Sequence, residues 1–178
     1  MAATLQGIGN RLRLTGLTFI VLAAGCASNG SIAPAAKAKV GLERLFRLPI
    51  DEGHAGVNEV IQITHALYGV PAETELSLLT NSAGPVALAD GTVISRVTES
   101  TSGSSISMAV AEKPCFSVER AVALTGARKM SDGPHGDAGY DAYSFKNQES
   151  SIYFSAGDPG RACVGSINFS KIFPQKTL

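Results

Sequence analysis

Tryptophan is missing from this chain, methionine and cysteine occur three times each, and aromatic residues fill only 6% of the 178 positions. Its core must therefore rest on aliphatic side chains and a few phenylalanines. Neither sign of charge prevails, with 15 Lys and Arg against 15 Asp and Glu. That balance excludes the strongly basic face of a nucleic-acid binder. No apolar run reaches the roughly 20 residues that a membrane-spanning helix requires. His54, His65 and His135 fall into no His-Glu-x-x-His or Cys/His zinc spacing, and Gly-x-Ser-x-Gly, Walker and dinucleotide glycine motifs are absent. No carboxylate pair stands out for acid–base work. The sequence announces no reaction, so neither an enzyme nor a cofactor is expected.

What is present begins at the N-terminus. There is no acid before Glu43; Arg11 and Arg13 precede the apolar run 14–25, which ends in Ala23-Ala24-Gly25-Cys26. A basic start, a short apolar stretch and small residues are the ingredients of a secretory signal. Their order resembles the signal and lipobox of bacterial lipoproteins. The resemblance covers about the first 28 residues and implies that Cys26 is lipidated and becomes the mature N-terminus. Such boxes usually place Leu three residues before the Cys; here that position is Ala23, with Leu22 one step earlier. An ordinary signal cut after Ala27 is the alternative. The residue after the Cys is Ala27 rather than Asp, which in such lipoproteins implies sorting to the outer membrane, facing the periplasm.

Removing residues 1–25 takes away Arg11 and Arg13 and no acid, leaving 13 basic residues against 15 acidic. The remaining length suits one domain. If Cys26 carries lipid, Cys115 and Cys163 are left, and an oxidising periplasm would pair them. Two buried free thiols are the other reading. A bridge would close a loop of about 49 residues, worth roughly 4 kcal/mol on the chain-entropy model.

Residues 26–41, rich in Ala, Ser, Asn, Gly, Pro and Lys, read as a flexible tether, and 42–178 as a single domain. Leu42–Leu48 is amphipathic, with helix favoured over strand, and Pro49 is expected to stop it. A longer helix is expected from about Glu52 to Tyr68, with Val57, Val60, Ile61, Thr64, Leu67 and Tyr68 on one stripe. Asp51 would cap it, Gly69 would end it, and His65 falls on the solvent side with Asn58 and Gln62. Alternation at Thr74, Leu76, Leu78 and Thr80 suggests a strand, with a helical turn as the alternative. Val86–Ala89, Asp90-Gly91 and Thr92–Ile94 predict a hairpin with a type I′ turn. That strand runs to about Glu99, and a further one carries Ile106, Met108 and Val110. Ser117 should cap a second helix running from Val118 to Thr125 and ending at Gly126. Residues 128–141 read as loop, followed by strands at Tyr143–Phe145, Ile152–Ala156 and Ala162–Ile172. In the last, Cys163, Gly165, Ile167 and Phe169 share a face, which would turn Cys163 inward.

The order predicts an α+β fold, an antiparallel sheet with two main helices on one face and one disulfide. It loosely resembles small periplasmic inhibitor and assembly lipoproteins, a likeness at the level of fold alone. The most unusual stretch is 131–141, where Asp132, His135, Asp137, Tyr140 and Asp141 lie among glycines. Its Asp spacing does not fit an EF-hand, and Gly, Pro and Asp also build ordinary tight loops. No metal is assigned; the loop is the candidate interaction surface, with 157–161 beside it. The expected partners are the membrane, through the lipid, and a periplasmic protein. The concrete expectation is an inhibitor or immunity protein against a cell-wall hydrolase; the alternative is a structural or assembly lipoprotein of the envelope.

Overall fold

In the computed structural model, residues 39–71, 84–130, 141–157 and 162–174 are described. The elements are α1 (Leu42–Tyr68), β1 (Val86–Ala87), β2 (Val93–Glu99), β3 (Ser105–Val110), α2 (Val118–Thr125), β4 (Arg128–Lys129), β5 (Ala142–Lys146), β6 (Ser150–Ala156) and β7 (Val164–Lys171). The seven strands form one sheet in the order β1-β2-β3-β7-β6-β5-β4, and every pairing is antiparallel. The fold is α+β. Each half of the chain supplies a helix and then strands, and the last strands of the two halves, β3 and β7, pair at the middle of the sheet.

The strand period of two sorts the sheet into two faces. Ile106, Met108, Ile152, Phe154, Ile167 and Phe169 are all buried, and the register sets them beside one another on one face. Both helices cover that face. Phe46 of α1 stacks on Phe116 at 5.8 Å and meets Phe154 and Phe169 edge-on at 5.5 and 5.9 Å.

The first helix departs from its local signals. Pro49 does not stop it. The Pro49 carbonyl, whose regular helical partner would be the Gly53 N–H four residues on, accepts from Ser150 Oγ at 2.6 Å. The break comes at Gly53, with φ 55° and ψ −125°. A side chain rarely adopts that backbone, and a Cβ there would collide with Glu149. Asp51 is exposed and caps nothing; the His54 N–H that follows the break faces the Glu149 carboxylate at 3.4 Å. The start of α1 is also capped from afar. Gly41 offers no side chain, and Asp90 Oδ2 accepts the Leu42 N–H at 2.8 Å.

The expected stripe holds: Val57, Val60, Ile61, Thr64 and Leu67 are buried, and Tyr68 is half-buried. His65 does not lie in solvent. It is 3% exposed, and both ring nitrogens face acceptors, Glu99 Oε2 at 2.8 Å and the Pro71 carbonyl at 3.0 Å. The hairpin at Asp90-Gly91 is present with a different turn. Gly91 N donates to Leu88 O and Leu88 N to Thr92 O, a three-residue loop with Gly91 at φ 85° instead of a two-residue type I′ turn. The second helix follows its signals, with Ser117 Oγ accepting the Arg120 N–H and Gly126 at φ 66° closing it.

Cys115 and Cys163 form a disulfide. The register between β6 and β7 shifts where Ser155 meets Ser166 and Ala156 meets Val164, so Val164, not Cys163, takes the buried position. The cysteines meet because residues 116–118 pair with 162–164. Ser117 bridges Cys163, Val118 N donates to Ala162 O and Val164 N to Phe116 O. Residues 128–129, expected as loop, form the short strand β4 on β5. The expected strand at 74–80 lies outside the described residues.

Candidate functional site

Of the residues singled out in sequence, Cys26, Asp132, His135, Asp137 and Tyr140 lie outside the described residues, as do 158–161. The residues on either side of 131–140, Met130 and Asp141, are described, and both are held by the sheet. Met130 N donates to Ala142 O at 2.9 Å on the way in. On the way out, Asp141 O accepts from Ala156 N at 3.0 Å. Its carboxylate pairs with Lys129 at 2.5 Å, and that hydrogen bond raises the lysine pKa above its ordinary value. Asp141 is therefore an anchor at the loop's exit.

A shallow groove of about 510 Å³ runs beside the first half of α1. Its charges are largely matched. Glu43 accepts from Arg120 at 2.8 Å and faces Arg47 at 3.9 Å, Arg44 pairs with Glu59 at 2.9 Å, and Asp90 is spent on the helix start and on Thr92 N. His54 Nε2 donates to the Ile172 carbonyl at 2.7 Å, and its ring lies 5.1 Å from the exposed Phe173. Among the described residues, no group of three or more His, Cys, Asp or Glu is placed to hold a metal ion.

The second face of the sheet is polar. Its outward positions include Ser105 and Ser107 of β3, Ser166, Asn168 and Ser170 of β7, Ser151, Tyr153 and Ser155 of β6, and Ser144 of β5, all half-buried. They knit into a hydroxyl and amide lattice. Ser155 and Ser166 share a bond of 2.8 Å, Asn168 Nδ2 donates to Ser107 Oγ at 2.7 Å, and Ser170 Oγ donates to Asn168 Oδ1 at 2.5 Å. Arg96 stands at the β2 side of this face, Arg128 and Lys146 at the β4–β5 side. None of the three has an ion pair among the described residues. The alternating serines were visible in the sequence. Both helices lie on one face, as expected, and it is the apolar one, which leaves these serines on the other.

Among the described residues no helix is long and apolar enough to cross a membrane. Compared with known proteins, the chain matches no family model, no curated protein and no solved structure.

Proposed function

We propose that this protein is a lipid-anchored binding module of the outer membrane, facing the periplasm, whose partner is a protein and which carries out no reaction of its own. Cys26 supplies the anchor, residues 26–41 the reach, and the disulfide-braced sheet the rigid mount. The observation that carries this reading is how the 131–140 loop is held. Its two ends are fixed by β4, β5 and β6 through Met130–Ala142, Asp141–Ala156 and Lys129–Asp141. A loop fixed at both feet presents its side chains with less ordering cost on binding. The concrete form is an inhibitor or immunity protein that places His135 and Asp137 in the cleft of a cell-wall hydrolase.

The test is a turbidity assay of wall lysis with purified muramidases, amidases and endopeptidases, with and without the full chain. Inhibition of one class is expected, weakened about tenfold or more when His135 and Asp137 are both replaced by Ala. Failure to inhibit any class would reject the hydrolase reading. Leakage or blebbing of a deletion strain in the absence of any toxin would assign the protein to envelope assembly instead.

A further inference from the structure

The open sheet face combines features that the loop reading does not use. Its outward strand positions carry no carboxylate; the acids of the described residues lie on the helices, in the turns that cap α1, at strand ends, or, for Glu112, in the segment after β3, near Gly157 at the end of β6. The same positions carry three cations with no ion pair among the described residues, Arg96 at one side and Arg128 and Lys146 at the other. Between them lies a flat field of small polar groups with a single aromatic ring, Tyr153, flanked in register by Asn168 and Ser144. The row Arg128–Ser144–Tyr153–Asn168–Ser107–Thr98 crosses six strands, a span of about 24 Å at the usual strand spacing.

We propose that this face binds an anionic polysaccharide. Serine hydroxyls and the Asn168 amide both donate and accept, as sugar hydroxyls do. The Tyr153 ring offers an apolar platform to the C–H face of a pyranose while its phenol remains free to hydrogen-bond. Carboxylates on a polymer laid across the strands would reach Arg96 at one end and Arg128 and Lys146 at the other, where charge-assisted bonds form. A protein partner fits this face less well, because protein interfaces centre on clustered aromatic and large apolar anchors, and Tyr153 is the one such side chain here. Three cations along this length are too few for nucleic acid. The face uses none of residues 131–140, so the two readings are tested by different substitutions.

Native affinity electrophoresis of the full chain tests the proposal, with polygalacturonate, neutral dextran or sugar-free polyglutamate cast in the gel at low salt. Polygalacturonate should retard the protein, and dextran and polyglutamate should do so much less. Replacing Tyr153 by Ser should weaken retardation about three- to tenfold, while Tyr153→Phe keeps it. Arg96→Gln with Lys146→Gln should also weaken it; both positions are exposed, so this variant serves if Tyr153→Ser fails to fold. Equal retardation by polyglutamate, indifference to both sets of substitutions, or no retardation by polygalacturonate would overturn the proposal.

Discussion

At the scale of single residues, Tyr68 is the weak point of the packing. Its hydroxyl is buried without a hydrogen-bond partner among the described residues, and burial raises its pKa above the ordinary 10.0. A buried polar group left unpaired costs about 1–3 kcal/mol, so Tyr68→Phe should stabilise the fold by about 1 kcal/mol in urea denaturation at neutral pH. The direction of the pKa fixes the alkaline behaviour. The unfolded phenol ionises near its ordinary value and the folded one only at higher pH, so this contribution is intact below pH 10 and fades as pH rises through the folded value. The Phe variant should therefore lose less stability than the parent between pH 9 and pH 11. His65 shows why some residues resist reading from sequence. It sits one position off the apolar stripe among polar neighbours, and its burial depends on Glu99, a partner 34 residues away that no local pattern encodes.

At the scale of elements, legibility follows how local the determinants are. The second helix was readable residue by residue because Ser117, its apolar face and Gly126 all lie within it or beside it. The first was readable in its stripe and misread at its breaks. Glu149 and Ser150, about a hundred positions away, supply the carboxylate at the kink and the donor at the Pro49 carbonyl. Asp90 does the same at the helix start from the tip of the β1–β2 hairpin. A carboxylate there satisfies an otherwise free N–H and complements the helix dipole. Asp90→Ala should therefore cost about 1–2 kcal/mol in chemical denaturation, and Asp90→Asn, which keeps the acceptor and loses the charge, should cost less. Equal losses for the two variants would assign the effect to charge alone. The turn itself shows a smaller difference of the same kind: Asp-Gly marked the hairpin, but Leu88–Thr92 pairing selected the loop length.

At the scale of the whole molecule, the sheet order places the last strands of both halves together, and the disulfide ties the entry of α2 to the start of β7. The bridge spans 48 residues of sequence separation, and closing a loop of that size restricts the unfolded chain by roughly 4 kcal/mol. Replacing Cys115 and Cys163 together by Ala should lower stability by about 3–4 kcal/mol, read as a shift of the denaturation midpoint under non-reducing conditions. The pairing was anticipated from the cysteine count, although the face parity that favoured it is broken by the register shift at Ser155–Ala156. The candidate loop was conspicuous by composition. Two helices on one face were expected; that the serine positions of four strands gather on the other follows from the register of the assembled sheet and not from any one strand.

The proposed anchored module depends on Cys26. Mass spectrometry of the N-terminal peptide from protein isolated from membranes tests this most directly. A chain that begins at Cys26 and carries the mass of a thioether-linked diacylglycerol is expected; an unmodified chain beginning at Ser28, or one retaining residues 1–25, would overturn the proposed anchor.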